Sequence, residues 1–158
     1  MIYIGVDPGL TGAVALIADG AIAAAGVHDM PAVVYSKTGF VKRAVDLNAL
    51  RTLLFPSSVL GAVVFMERVG AFPGQGVGSM FSLGMSYWGV AGVCAGLELP
   101  LHLVTPGEWK SHFKLNTDKE LSRGLASRLY PGVDLSKKKD HGRAEALLIA
   151  RYGMERGL

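Results

Sequence analysis

The hydrophobic positions near the N-terminus alternate with short polar breaks in a way that is typical of β-strands. Residues 2–7 and 13–18 are rich in apolar and β-branched side chains, as buried strands are. The pair Asp19-Gly20 is a strong hairpin signal, and residues 21–30 return as a third strand. We therefore expect the chain to open as a three-stranded β-meander.

The middle of the chain switches between helical and extended patterns. Leucines at positions 47, 50, 53 and 54 share one face of a predicted helix over 46–56, with Asp46 as its N-cap. A continuous apolar run over 62–66 predicts a central buried strand that ends at Glu67. Residues 36–43 and 71–79 are predicted loops, and 80–100 is predicted to form a long helix with small residues for close packing.

The C-terminal third predicts one more strand and three helices. Residues 101–106 form the strand, and Thr105 caps a short helix with Pro106 at its first position. Thr117 and Glu120 have the spacing of a capping box, which predicts Thr117 as the N-cap of the next helix. Residues 141–158 form the last helix. This element order predicts an α/β fold with a mixed sheet flanked by helices.

Length and composition narrow the class of protein. A chain of 158 residues suits a single domain spanning residues 1–158. No apolar run approaches the roughly 20 residues of a membrane span, and no cationic leader precedes the apolar start. We expect a cytosolic protein, in the host cytosol if it is phage-encoded. The single cysteine, Cys94, excludes an internal disulfide and lies in a small-residue apolar run, so we interpret it as packing.

The net charge of +3 is unevenly distributed. Residues before 105 carry 5 Lys/Arg and 6 Asp/Glu, whereas residues from 105 onward carry 11 and 7. A basic C-terminal third is either a solvated helix surface or a side that faces phosphates. Charge alone does not decide between them.

Three acidic residues follow apolar elements at points that a sheet would bring together. Asp7 and Glu67 each end a predicted strand, and Glu145 lies near the start of the last helix, one turn after His141. Each has an ordinary explanation as a turn residue, a surface ion pair or a favourable charge at a helix start. Together they suit Mg²⁺ or Mn²⁺, and two such ions can straddle a scissile phosphate.

Four segments resemble a known family. "IGVDPGLTGAVAL", "VVFMERV", "VTPGEWK" and "KKDHGRAEALLIARYG" resemble, in this order, the RuvC-type Holliday-junction resolvases. The Gly-rich "FPGQGVGSMFSLGMSYWGV" and the ending "GRAEALLIA" are more similar to the phage and chloroplast branch than to the standard bacterial enzyme. The resemblance covers nearly the whole chain.

The resemblance implies an RNase H-like fold, a mixed five-stranded sheet with helices on both faces. It also implies a homodimer that binds a four-way DNA junction and nicks two opposed strands by metal-dependent hydrolysis, with no organic cofactor. Asp7, Glu67 and Glu145 match the family's acidic ligands, and His141 falls where this branch usually has an aspartate. Asp140, one residue earlier, is the alternative ligand. We expect Asp7 to bridge two Mg²⁺ or Mn²⁺ ions.

The expected DNA contacts lie in three segments. Basic residues beside the proposed metal site are expected to hold the DNA backbone: Lys137, Lys138, Lys139 and Arg143. A second basic group, Lys37, Lys42 and Arg43, is a candidate for another junction arm. In the Gly-rich loop, Gln75 is a candidate contact, and Phe72 either stacks on unpaired bases or closes the core beneath the loop.

Other functions stay open from the sequence. Asp7, Gly9, Thr11 and Gly12 loosely fit the phosphate loop of an actin-like or sugar-kinase-type ATPase. A DNA-structure binder on the same fold without catalysis is another alternative, with His141 marking a decayed site. A nuclease for other branched DNAs, such as forks or flaps, is a third.

Overall fold

A mixed sheet occupies the centre of the computed structural model, which describes residues 1–19, 25–39, 41–71 and 73–157. Seven strands are formed in the described residues: β1 (Ile2–Asp7), β2 (Ala13–Ala18), β3 (Ala25–Asp29), β4 (Ala32–Val34), β5 (Arg43–Val45), β6 (Val63–Glu67) and β7 (Leu101–Val104). Five of them form the main sheet in the order β3-β2-β1-β6-β7. The first three are antiparallel neighbours, whereas β6 and β7 continue the sheet parallel to β1. The predicted meander and mixed sheet are confirmed, whereas Gly20 of the predicted hairpin and residues 21–24 of the predicted third strand lie outside the described residues.

Helices cover both faces of this sheet. The helices of the described chain are α1 (Leu47–Ser58), α2 (Val77–Gly96), α3 (Pro106–His112), α4 (Lys119–Leu129) and α5 (His141–Arg156). Alternate strand residues point to opposite faces, so Tyr3 and Phe65 join one core with α3, α4 and α5. Ile4 and Val64 join the other core with α1 and α2. No helix of the described residues is long and apolar enough to cross a membrane.

Helix α5 packs closely on the sheet because glycine lies at its contact points. A Cβ atom on Gly5 of β1 would lie 2.0 Å from the carbonyl oxygen of Ala146. A Cβ atom on Gly153 of α5 would lie 2.3 Å from the Phe65 ring. The absence of these side chains brings the helix backbone against the strands, and ten residues of α5 are buried.

A small ribbon follows the main-sheet strand β3. Strands β4 and β5 pair antiparallel, and the Tyr35 N–H donates to the Lys42 carbonyl oxygen at 2.9 Å. The predicted loop over 36–43 is therefore wrong at its end, because Arg43 belongs to β5. The short segments "AVV" and "RAV" carry the β-branched residues that favour pairing, but each is only three residues long.

Two predicted helix starts and one predicted apolar face differ from the structure. Asp118, not Thr117, caps α4, and its Oδ1 accepts a hydrogen bond from the Glu120 N–H at 2.9 Å. Helix α2 begins at Val77 within the predicted loop, with Gly76 as its N-cap. Leu47 is 45% exposed, so it does not belong to the buried face of α1.

Other local predictions are confirmed. Asp46 caps α1 by accepting from the Ala49 N–H at 3.0 Å. Thr105 and Glu108 form a reciprocal capping box at the start of α3. Cys94 is buried in the core between the sheet and α2, and this burial raises the pKa of its thiol to about 11. The thiol therefore stays protonated and packs as an apolar group.

Candidate functional site

Two of the predicted acidic residues lie side by side at one edge of the sheet. Strands β1 and β6 are parallel, and their register pairs Val6 with Met66. Asp7 and Glu67 are the next residues along the two strands. Both lie on the odd-numbered face, with Tyr3 and Phe65, and this is the face that α5 covers.

The start of α5 brings the third acidic residue to the same edge. A Cβ atom on Gly142 would lie 3.1 Å from Oδ2 of Asp7, so the first turn of the helix lies against this carboxylate. Glu145 follows within the next turn, and it is 8% exposed. The structure therefore brings together Asp7, Glu67 and Glu145, the three carboxylates that the sequence singles out.

The three carboxylates repel one another in a partly buried environment. Burial and the charges of Glu145 and Glu67 raise the pKa of Asp7 to about 7, and nearby Gly9 N–H and Lys119 only partly oppose this shift. Burial also raises the pKa of Glu67, again with a contribution from Glu145. Carboxylates such as Asp7 and Glu67, whose pKa values are raised by burial and by a neighbouring negative charge, are typical of functional sites.

Helix α3 supplies two partners that the sequence analysis missed. Trp109 is fully buried, and its Nε1–H donates to Oε1 of Glu67 at 3.0 Å. Lys110 places its Nζ atom 3.6 Å from Oε1 of Glu145. The chain order contains a signal for these two residues. Strands β6 and β7 are parallel neighbours and end at the same edge of the sheet, and α3 begins there directly after β7.

A third missed residue is Lys119, the first residue of α4. Its charge lowers the pKa of both Asp7 and Glu67, which places it within electrostatic reach of the two strand ends. Nothing in the local sequence pattern distinguishes Lys119 from the other basic residues of the C-terminal third.

His141 and Asp140 have other partners. Nε2 of His141 lies 3.3 Å from Oε1 of Glu120, which also pairs with Arg123. The Asp140 side chain is buried, and its Oδ2 accepts a hydrogen bond from the Lys137 N–H at 2.9 Å. These contacts connect the two residues to α4 and to the turn before α5.

The donor chemistry of the acidic cluster fits a hard divalent cation. Carboxylate oxygens are the ligands that Mg²⁺ prefers, and a cation between Asp7, Glu67 and Glu145 would remove the repulsion that raises the pKa of Asp7. Within residues 1–19, 25–39, 41–71 and 73–157, however, no three His, Cys, Asp or Glu side chains are close enough to hold a metal as they stand. Binding an ion therefore requires side-chain movement.

The predicted DNA-contact residues lie in different environments. Lys137, Lys138 and Lys139 are exposed on the turn before α5. Arg143 instead forms a bidentate pair with Asp29, with N–O distances of 2.5 and 2.8 Å.

The second basic group lies on the ribbon. Lys37, Lys42 and Arg43 are exposed there. Gln75 is partly buried just before α2. Phe72, the candidate wedge, lies outside the described residues.

Replacing Trp109 with phenylalanine should loosen Glu67 while largely filling the same space. The variant loses the Nε1–H donor to a partly buried carboxylate, so we expect the free energy of unfolding to fall by about 1–3 kcal/mol. Urea unfolding at pH 7 measures this. Tyr35→Phe, at an exposed aromatic residue outside α2, is the control, and an equal loss in both variants would contradict the role of the hydrogen bond.

The comparisons with known proteins support the fold. No family model and no curated protein matches the chain. Among solved structures, the chain is similar to RuvC of T. thermophilus in complex with a Holliday junction substrate, with a TM-score of 0.61 and 14% identity over 99% of this chain and 96% of that one. A second Thermus thermophilus RuvC structure gives a TM-score of 0.54 and 17% identity, covering 99% and 97%. The fold is α/β, RNase H-like and similar to that of RuvC.

Proposed function

We propose that this protein is a metal-dependent endonuclease that resolves four-way DNA junctions by paired nicks in opposed strands. The main observation in support of this proposal is a partly buried group of carboxylates that repel one another, Asp7, Glu67 and Glu145, at one edge of a RuvC-like sheet. The similar T. thermophilus protein was solved with a Holliday junction substrate. The four sequence segments described above favour the phage and chloroplast branch of the family and a role in DNA recombination, repair or phage DNA processing.

In this proposal Asp7, Glu67 and Glu145 hold Mg²⁺ or Mn²⁺, two ions in each active site. Such ions supply an activated water and stabilise the leaving oxygen when they are bound. His141 is a further candidate ligand, which would have to leave its contact with Glu120 and turn toward the metal site. Asp140 is the alternative. Neutral imidazole accepts Mn²⁺ more readily than Mg²⁺, so activity in Mn²⁺ alone would favour His141.

The protein's own side chains orient the carboxylates and the DNA. Trp109 fixes one oxygen of Glu67, and Lys110 neutralises Glu145 until substrate and metal arrive. The Lys119 charge lowers the pKa of Asp7 and Glu67, and we propose that it attracts a phosphate to them. We propose that the exposed lysines at 137–139 bind the phosphates of the DNA backbone, whose contacts dominate affinity.

Symmetric cutting of a junction requires two copies of the site, and we propose that they come from a homodimer. An apolar stripe on α2 supports this arrangement. Val77, Phe81 and Trp88 recur on one side of the helix and are 79%, 57% and 72% exposed. Exposed apolar patches of this kind are typical of protein interfaces.

Replacing Trp88 with lysine should therefore produce monomers. A charge in the centre of an apolar interface costs several kcal/mol, so we expect the dimer dissociation constant to rise by about a hundredfold or more. Light scattering coupled to gel filtration measures the mass. Arg128→Glu, a charge change on the exposed side of α4 and away from α2, is the control. An unchanged dimer in Trp88→Lys, or a wild-type monomer at high concentration, contradicts this interface.

The proposed activity is tested with a labelled synthetic four-way junction. A matched duplex and a replication fork are run beside it, each with Mg²⁺, with Mn²⁺ and with EDTA. We expect paired nicks in opposed junction strands with a metal ion and none with EDTA. Equal cutting of the duplex would contradict junction specificity, and preferential cutting of the fork would indicate the broader branched-DNA nuclease.

A second candidate is a junction-binding protein that does not cut. The side-chain pairs of the cluster favour it, because Lys110 holds Glu145 and Glu120 holds His141. Tight junction binding without nicks in either metal would support this candidate over the nuclease.

A further inference from the structure

A large groove borders the β1–β2 turn, and none of the three carboxylates of the acidic cluster lines it. The ribbon of β4 and β5, the turn around Thr11 and the start of α2 form its walls, and its volume is about 1030 Å³. The ribbon side contributes Val41, Lys42 and Arg43. The helix side contributes Ser79, Ser82 and Leu83.

The chemistry of this groove matches a nucleic-acid strand. Among its described lining residues there is no carboxylate, and Lys42 and Arg43 are exposed at its rim. Most of the lining surface is apolar, and the hydroxyls of Ser79 and Ser82 add hydrogen-bonding groups. A basic rim suits phosphates, whereas an apolar wall suits the faces of bases that are not covered by stacking or pairing.

Gln75 adds a specific polar feature to the same groove. Its Oε1 atom is buried and, within the described part of the chain, has no hydrogen-bond partner. Buried polar atoms normally have partners, and leaving one without costs about 1–3 kcal/mol. An amide at a groove wall can exchange hydrogen bonds with the edge of an unpaired base, and double-stranded DNA keeps those edges occupied.

The groove borders the same turn that follows Asp7. Leu10 and Thr11 line it and lie only three and four residues after Asp7. The carbonyl oxygen of Thr11 also faces Gly142 at the start of α5. A strand whose phosphate lies at Asp7 therefore needs to cross only this turn to reach the groove.

We propose that this groove binds unpaired nucleotides of the DNA strand that leaves the active site at the branch point. Lys42 and Arg43 hold the phosphates, and the apolar wall and Gln75 contact the bases. The inference rests on the proposed DNA substrate and adds to it the form of DNA that the ribbon side recognises. It predicts that the ribbon distinguishes single-stranded from duplex DNA.

The test compares binding of a fluorescein-labelled dT15 oligonucleotide and a 15-base-pair duplex by anisotropy in EDTA. The variant Lys42→Gln/Arg43→Gln should bind dT15 on the order of tenfold more weakly, with the salt slope reduced by about 1.4 for two lost phosphate contacts. Duplex binding should change less than about threefold, because in this proposal paired DNA does not enter the groove and is held by the lysines at 137–139. The charge-matched control is Lys114→Gln/Arg128→Gln, two exposed positions outside the groove.

A second variant tests the base contact without a change in charge. Gln75→Leu should weaken dT15 binding by about threefold and leave the duplex unaffected, as expected for one lost hydrogen bond. Equal losses for both DNAs, or no loss for dT15, would overturn the proposal. Junction nicking by the wild type is measured separately. If the wild type nicks junctions but the variants bind dT15 normally, the groove proposal is rejected and the nuclease proposal stands. If the variants selectively lose dT15 binding but the wild type does not nick, only the nuclease proposal is rejected.

Discussion

An Asp7→Asn variant should lose all strand cutting and yet unfold less easily than the wild type at pH 8 in EDTA. The carboxylate has an ordinary pKa of 3.8, which burial and the charges of Glu145 and Glu67 raise to about 7. The folded protein therefore binds this proton more tightly than the unfolded chain. The stability that this proton provides is complete below about pH 4 and is lost as the pH rises through 7.

The size of the effect follows from the shift. Three pKa units correspond to about 4 kcal/mol, and partial exposure of the site reduces this, so we expect a gain of about 2–4 kcal/mol at pH 8. At pH 4 the gain should vanish, because Asp7 is then protonated in the folded wild type. The loss of cutting follows from the loss of a charged ligand at the centre of the cluster.

Urea unfolding of both proteins at pH 4, 6 and 8 measures the stability difference, and the junction assay measures cutting. Asp19→Asn, an exposed carboxylate at the end of β2, is the control and should show neither effect. Adding Mg²⁺ should stabilise the wild type more than the variant, since an ion that binds only the folded state raises its stability. If the variant cuts at the wild-type rate, Asp7 is not a catalytic ligand. If the stability difference between the two proteins does not depend on pH, the proposed repulsion between Asp7 and its neighbouring carboxylates is contradicted.

The Gly5→Ala variant should be strongly destabilised, because the new methyl group has no space. Its Cβ atom would lie 2.0 Å from the Ala146 carbonyl oxygen and 2.4 Å from the Ala150 nitrogen. Both are backbone atoms of α5, so the whole helix must move away from β1. Overpacking a core typically lowers the free energy of unfolding by about 1–3 kcal/mol. Because the Gly5→Ala methyl group meets helix backbone, we expect a loss of about 3 kcal/mol or more.

The same displacement moves Glu145 away from Asp7 and should reduce cutting more than tenfold even where the variant remains folded, given how steeply rates depend on catalytic geometry. Urea unfolding and junction nicking of the folded fraction measure the two effects. Gly124→Ala in α4 is the matched control, because its Cβ would meet no atom within 4 Å and alanine favours helix by about 1 kcal/mol. A stable Gly5→Ala protein with normal cutting would contradict the close packing of α5.

Most of the main fold could be predicted from local patterns. The apolar runs of β1 and β6 end at charged residues, and caps such as Asp46 and Thr105 mark helix starts. The ribbon was missed because three-residue strands carry too little periodicity. The cap of α4 was misassigned because Thr117 and Asp118 both have suitable side chains, and only the backbone geometry selects between them.

The candidate site was predictable where it depends on strand ends, and less so where it depends on helix packing. Asp7 and Glu67 meet because parallel neighbouring strands end at the same edge. Lys110 and Lys119 reach the cluster through the placement of α3 and α4 on the sheet, which no local spacing encodes. The orientation of His141 toward Glu120 likewise depends on how α4 packs beside α5.

The contact of β1 with β6 and α5 also sets the order in which the protein can fold. Tyr3 pairs with Val63, and Gly5 contacts helix residues about 140 positions later in the chain. Chains dominated by such distant contacts close large loops before they gain stabilising interactions, so they fold slowly. During synthesis, β1 must wait for α5 to leave the ribosome. The acidic cluster is therefore assembled only after α5 has been synthesised.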